Sequence, residues 1–294
     1  MTDQRAPSIR TGDRLFAALQ YVLPKHLLSR AMYSLARSES RAVRNTILRI
    51  FLSVYRIDMS EAVQSDPYSY RSFNDFFTRG LRAGARPVEQ DPAAIVSPVD
   101  GTLSQCGDLE DDLLVQAKGH HYSLRDLLAA DSEMIAAYRG GSFACIYLAP
   151  YNYHRIHMPC DGQLRANLYV PGDLFSVNAS TARAVPRVFA RNERLICDFE
   201  TAHGRMAVIL VGAMFVGSIE TVHCAEVNPP PRRRKAPQPI AAGLGRRFAK
   251  ADELGRFNMG STVVLLFQKD RVRWVDALQP DATVRLGRTI GRAS

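Results

Sequence analysis

The chain has 294 residues, a hydrophobic fraction of 46% and a formal net charge of +9 at pH 7. That length suits one large domain or a domain with an appendage, and the apolar content is that of an ordinary globular protein. The positive charge points to an anionic partner, nucleic acid or membrane, and does not choose between them. Cys106, Cys145, Cys160, Cys197 and Cys224 stand singly. No CxxC spacing occurs, so there is no zinc pattern, and a reducing compartment is the simplest setting. Met1 to Arg14 lacks the apolar core of a secretory signal. The longest apolar runs fall well short of the about 20 residues that span a bilayer, so any membrane contact is expected to be peripheral.

In chain order, residues 12–58 read as helices. Leu15, Leu19 and Val22 share one face, Pro24 interrupts, and Leu28, Met32 and Leu35 form a second stripe. Val43, Ile47, Ile50, Phe51 and Val54 form a third at helical spacing, with Arg30, Arg37, Arg41, Arg44, Arg49 and Arg56 alongside. One reading packs these faces on the protein with the arginines solvated. The other lays them in a lipid interface with the arginines against anionic headgroups. Tyr70 to Arg79 follows as a helix or turn whose Phe73, Phe76 and Phe77 enter the core.

From about residue 93 the texture changes to short β-type runs between Gly, Pro and Asp. Asp100-Gly101 is a turn signature. Leu124 to Ala130 opens a short helix, and Phe143 to Leu148 reads as a buried strand. His154 and His157 come next, three apart. Pro159 stops a helix there and no third ligand stands near, so the pair reads as structural or as a base that titrates near neutrality, with no metal expected. Phe175 and Val177 read as core, with an acyl pocket as the alternative. Met206 to Ile219 reads as central strands. Pro229 to Lys235 clusters proline and basic residues, an irregular loop that is either solvated or drawn to anionic lipid. No zinc finger or RNP-like aromatic pattern supports a nucleic-acid role. Val272 to Leu278 is the last apolar stretch.

Between these lies Gly255 to Thr262, a polar approach that ends in Gly260-Ser261-Thr262 and runs into Val263-Val264-Leu265-Leu266-Phe267. Gly260 allows close approach to its carbonyl, and Ser261 Oγ is close enough to attack it once a base removes the proton. The ester so formed can break by β-elimination, and the resulting dehydroalanine hydrolyses to a pyruvoyl group. A bare Gly-Ser-Thr before a strand is usually only a turn.

Three motifs in this order give the signal its weight: Val96-Ser97-Pro98-Val99-Asp100-Gly101-Thr102, Tyr151 to Cys160 with both histidines, and Gly260-Ser261-Thr262. Together they resemble the phosphatidylserine decarboxylases, self-processing pyruvoyl enzymes. Tyr70 to Arg79, Gln116-Ala117-Lys118-Gly119, Val170 to Asn178 and Phe189 to Arg194 match the same family. One departure is Met259, where bacterial members carry Leu, a swap of similar volume.

The resemblance implies an α+β fold, with a β-rich catalytic domain (61–294) behind N-terminal membrane-associating helices (1–60). It implies cleavage at Gly260-Ser261 into a β chain, 1–260, and an α chain, 261–294, that stay packed together. His157 then takes the Ser261 proton with Asp100 orienting the imidazole, and His154 contacts the substrate carboxylate or phosphate. The pyruvoyl group derived from Ser261 is the cofactor. It forms a Schiff base with phosphatidylserine at an anionic membrane surface, and the products are phosphatidylethanolamine and CO2. The expected location is the cytoplasmic face of the cell membrane, with no nucleic acid bound, and a homodimer is compatible. The competing readings are a Ser-His-Asp lipid-ester hydrolase, although no G-x-S-x-G elbow surrounds Ser261, and a non-catalytic basic membrane-binding module.

Overall fold

The computed structural model describes residues 11–294 except 118–119, 216–217, 228–235 and 260. The expectations for Lys118-Gly119, for the Pro229 to Lys235 loop and for Gly260 lie outside the described residues.

Helices α1 (Thr11–Val22), α2 (Lys25–Ala36) and α3 (Arg41–Val54) come first. Pro24 separates the first two, because its ring cannot continue α1 but suits the entry to α2. The amphipathicity of α1 is inverted. Asp13, Ala17 and Gln20 face inward, while Leu15 and Val22 are 73% and 78% exposed. The inward face is polar because it docks on polar groups of the sheet domain. Gln20 Nε2 donates to Thr181 Oγ1 at 3.1 Å, and Gln20 Oε1 accepts from Ser176 N at 2.8 Å. Arg183 Nε donates to Asp13 at 3.1 Å, and Lys25 Nζ lies 4.0 Å over the Phe175 ring. In α3, Leu48 is buried, whereas Ile50 and Val54 are 62% and 66% exposed.

Helix α4 (Phe73–Phe77) is short and capped by Ser72, whose Oγ accepts from Asp75 N at 3.1 Å. Its phenylalanines are buried, as expected, and join Ala36, Leu48 and Tyr70 in a small aromatic core on which Met259 packs.

The rest is sheet, which gives the α+β arrangement. The large antiparallel sheet runs in the spatial order Gly162–Val170, Arg194–Thr201, Gly204–Val211, Ser261–Phe267, Ser142–Leu148 and Gly101–Asp108. A four-stranded sheet orders Ala225–Glu226, Ile219–Thr221, Glu253–Phe257 and Arg155–His157. One core lies between these two sheets and contains Ile156, Leu254, Phe257, Val263 and Leu265. A second core covers the other face of the large sheet with Phe175, Phe189, Val264 and Leu266. The Ser261–Phe267 strand is buried on both faces, and for that reason its sequence is apolar without alternation. In the smaller sheet Gly255 is required, since a Cβ there would stand 2.3 Å from the Glu220 carbonyl oxygen.

Some expected elements are shorter than their apolar runs. The helix from Leu124 ends at Leu127, where Ala129 and Ala130 turn the chain with φ of 54° and 64°. Only Val272–Trp274 of the last apolar stretch is strand. Met206 to Ile219 contributes to strands of both sheets, Gly204–Val211 in the large one and Ile219–Thr221 in the smaller.

Leu265 tests the strand's central place. Leu265→Ala should lower the unfolding free energy by about 2–5 kcal/mol, read from the urea midpoint at unchanged slope. A loss under about 1 kcal/mol, the range of exposed positions, would contradict that placement.

Candidate active site

Ser261 is the first residue of the central strand and pairs with Leu148. Alternation along the strand puts its side chain on the face of Val263 and Leu265, toward the core that holds Ile156 and Phe257. Ser261 is fully buried, and its Oγ has no hydrogen-bond partner among the described residues. The approach to it is clamped. Asn258 N donates to the Ser218 carbonyl at 2.9 Å, and Asn258 Nδ2 donates to Ser218 Oγ at 2.6 Å. Asn74 Nδ2 in turn donates to Asn258 Oδ1 at 3.0 Å. Between this clamp and the strand, Met259 has φ of 124°. That region disfavours any residue with a side chain, at about 1–3 kcal/mol.

His154 and His157 lie on the chain that leaves Leu148, the cross-strand partner of Ser261. His154 is fully buried beside the Phe77 ring, with centroids 4.1 Å apart, and its carbonyl accepts from Phe257 N at 3.0 Å. Its Nδ1 meets the Asn152 carbonyl at 2.9 Å, so Nδ1 carries the proton and Nε2 is an acceptor without a partner among the described residues. Burial pushes the imidazole pKa down to about 3, with the Arg79 charge adding to the effect.

His157 follows the same pattern. Its Nδ1 donates to the Ala251 carbonyl at 2.7 Å, and its Nε2 faces the Tyr153 hydroxyl at 3.2 Å. Burial lowers its pKa, while the Ala251 bond and the Glu253 charge recover part of the shift. Burial also pushes Tyr153 up to about 12, so it stays an O–H donor.

Asp100 is held by other groups. Arg86 Nε donates to its Oδ1 at 3.0 Å and Arg86 Nη2 to its Oδ2 at 2.6 Å, a fork that matches the carboxylate plane. Leu286 N adds a third bond at 2.9 Å. Arg86 Nη2 also donates to Glu61 at 2.8 Å. The Ala251 carbonyl, rather than Asp100, fixes the His157 tautomer, and Asp100 reaches His157 through its charge. No hydrogen bond among the described residues joins Ser261 to either histidine. Both histidines are therefore neutral with Nε2 as an acceptor, which the Tyr153 hydroxyl meets on His157 and which has no partner among the described residues on His154.

Sequence reasoning missed Glu61, Arg86, Tyr153, the Ala251 carbonyl and the Asn74–Asn258–Ser218 clamp. Nothing in the spacing of Arg86 assigns it to Asp100. A backbone carbonyl has no sequence signal at all. Among the described residues, no group of three His, Cys, Asp or Glu side chains could hold a metal ion.

Residues 73–292 match the family model of phosphatidylserine decarboxylase, and residues 15–56 match a second family model described as PSD. The chain is 50% identical over 283 residues to the phosphatidylserine decarboxylase proenzyme of Azotobacter vinelandii, covering 96% of this chain and 99% of that protein. It is 49% identical to the protein of that name from Stutzerimonas stutzeri, with 96% and 95% covered. The proenzyme of Bordetella pertussis is 48% identical, with 95% and 94% covered.

The buried neutral histidine gives stability a pH dependence with a definite sign. His154 has a pKa of about 3 in the fold against an ordinary 6.5, so the unfolded chain binds its proton more readily. The contribution is fully present above pH 6.5 and is lost as pH falls toward about 3. The urea midpoint should therefore drop between about pH 7 and about pH 5, and drop less in His154→Gln. Equal slopes in the two proteins would contradict the assignment.

Proposed function

The chain belongs to the phosphatidylserine decarboxylase family and decarboxylates phosphatidylserine, and we propose that it activates itself by cutting its own backbone between Gly260 and Ser261. The observation that carries this reading is Ser261 Oγ, buried and unpartnered at the head of a rigid strand and directly downstream of the strained Met259.

Self-cleavage uses only residues of the chain. Ser261 Oγ attacks the Gly260 carbonyl as its proton passes to His157 Nε2, and the C–N bond breaks to leave an ester and a free amine on residue 261. The Nδ1–H bond to Ala251 keeps Nε2 unprotonated for that task. Asp100 stabilises the imidazolium by its charge, with Arg86 and Leu286 N holding it in place. For that transfer Ser261 Oγ takes the place of the Tyr153 hydroxyl at Nε2. Removal of the residue 261 α-proton then expels the Gly260 carboxylate, and hydrolysis with loss of ammonia leaves a pyruvoyl group. When present, that group supplies a ketone that condenses with the substrate amine and draws electrons as CO2 departs. The site fits it, since the residue that becomes the group is held at the head of the strand in a water-poor environment. His154 contacts the substrate.

The products of cleavage are a β chain, 1–260, and an α chain, 261–294, that stay packed through the central strand. Residues 1–60 bring the catalytic domain, 61–294, to the cytoplasmic face of the cell membrane, where a homodimer is compatible. No helix of the described residues is long and apolar enough to cross a membrane. Supporting an interfacial role are the outward Leu15, Leu19 and Val22 of α1 and Ile50 and Val54 of α3, with Arg14, Arg30, Arg41 and Arg49 exposed near them.

A denaturing gel with intact masses tests the chemistry. The parent should run as two chains, and the small one should begin with a blocked, ketone-bearing residue. A free serine amine there would mean ordinary proteolysis. Ser261→Ala and His157→Ala should stay single chains, and Asp100→Asn should cleave slowly. His154→Ala should cleave yet release CO2 from phosphatidylserine poorly. If His154→Ala stays whole while His157→Ala cleaves, the two roles are reversed.

Vesicle sedimentation tests the surface. The parent should bind anionic vesicles and lose binding as salt screens the arginines. Leu15→Ser combined with Val22→Ser should weaken binding without stopping cleavage, and undiminished binding would rule out α1 as the contact.

A further inference from the structure

Among the described residues Arg79 and Arg194 are buried and Arg86 is nearly so, and the fold treats the three differently. Arg194 places its nitrogens on the carbonyls of Leu127, Ala190, Asn192 and Asp126 at 2.6 to 2.9 Å, where it closes helix ends and is structural. Arg86 is neutralised by Asp100 and Glu61. Arg79 has neither arrangement. It is only 5% exposed, and its Nε and Nη1 have no partner among the described residues. Nη2 reaches the Tyr151 carbonyl at 3.4 Å, and the Phe76 ring lies 5.7 Å from the guanidinium carbon. No carboxylate among the described residues pairs with it. An unpaired buried cation is strongly unfavourable unless something else meets it.

Its position ties it to the site. Arg79 holds the carbonyl of Tyr151, and His154 holds the carbonyl of Asn152, on the same turn. Phe77, two residues before Arg79, stacks on the His154 ring. Arg79 also borders a cavity of about 450 Å³ with Tyr70, Thr78, Arg155 and Arg256. The other two cations there are already paired, Arg155 with Glu253 and Arg256 with Glu220. His154 is poorly suited to an anion, since its free Nε2 is a lone pair rather than a donor.

We propose that Arg79 is the anion-binding residue of the active site, its free Nε–H and Nη1–H groups receiving oxygen atoms of the substrate headgroup, and that His154 Nε2 faces a donor of the same substrate. Paired donors on one guanidinium match the oxygens of a phosphodiester or a carboxylate, the two anionic groups of phosphatidylserine. The inference rests on the proposed reading of the site, and its test keeps the two apart by scoring self-cleavage and substrate affinity separately.

The measurement is KM for phosphatidylserine in detergent micelles, with glycerophosphoserine and glycerophosphoethanolamine as competing inhibitors. Arg79→Gln and Arg79→Lys are compared with the parent, each first checked on a gel for cleavage. Both variants should cleave, and Arg79→Gln should raise KM about ten- to hundred-fold, the loss of one charge-assisted contact. Arg79→Lys keeps the charge without the fork, so it should lie between. If Arg79 reads the phosphodiester, both inhibitors weaken in Arg79→Gln. If it reads the carboxylate, only glycerophosphoserine weakens. A cleaved Arg79→Gln with KM and both inhibition constants within about twofold of the parent, inside ordinary context scatter, overturns the proposal. Should Arg79→Gln fail to fold, Arg79→Lys decides: parent-like KM and inhibition there overturn it as well. A parent that does not cleave at all would defeat the self-cleavage reading and leave Arg79 to be judged by inhibitor binding alone.

Discussion

The reactive serine is fixed on one side by a sheet and on the other by a clamp, and the rest of the site follows from that constraint. Downstream, Ser261 to Phe267 pairs with a strand on either side, and its side chains fill two cores at once. Such a strand cannot shift by one residue without exchanging the contents of both cores. Upstream, Asn258 is held by Ser218 and Asn74. Any mismatch between the two anchors falls on the residues between them, and Met259, with φ of 124°, takes part of it. Strain of about 1–3 kcal/mol at such a residue would be released by the proposed cut beside it, a bias that supplies no chemistry.

Charge inside the molecule is allocated with similar economy. Asp100 and Glu61 share Arg86, and Arg194 is satisfied by carbonyls alone. Both histidines are kept neutral by burial and by Nδ1–H bonds to backbone carbonyls. A neutral imidazole with a fixed tautomer is ready to take a proton, and the nearby Asp100 charge favours the cation that results. Arg79 is the exception in this scheme, with buried donors that no protein group meets among the described residues.

What the sequence revealed depended on how local the cause was. The strand after Ser261 was legible because burial on both faces writes itself into seven consecutive residues. The Tyr70 to Arg79 segment was legible as a helix or turn with buried phenylalanines, whereas its Ser72 cap was not read. The orientation of α1 was not, because periodicity tells which residues share a face and not which face turns inward. Here the face with Gln20 turns inward, since Thr181 and Ser176, far along the chain, offer it matched donors and acceptors. The motifs placed Asp100 and His157 in one site, but their immediate partners are Arg86 and a backbone carbonyl. The first is set by the path of the chain between them, and the second has no side chain to read.

The helical segment and the cleavage segment are also joined by a continuous line of polar contacts. Tyr33 and Arg37 of α2 bond Glu226, and Glu226 accepts from Ser218 Oγ at 2.7 Å. Ser218 in turn accepts from Asn258. Hydrogen bonds therefore cross the boundary expected between residues 1–60 and 61–294. A helix that holds the clamp through Glu226 cannot be displaced without removing partners from that carboxylate. Each removed charge-assisted bond would leave a polar group to be satisfied otherwise, at about 1–3 kcal/mol where it is buried. The Tyr33 and Arg37 bonds to Glu226 are solvent-exposed, so each contributes little by itself, and α2 is linked to Asn258 by the continuity of the contacts rather than by a large energy.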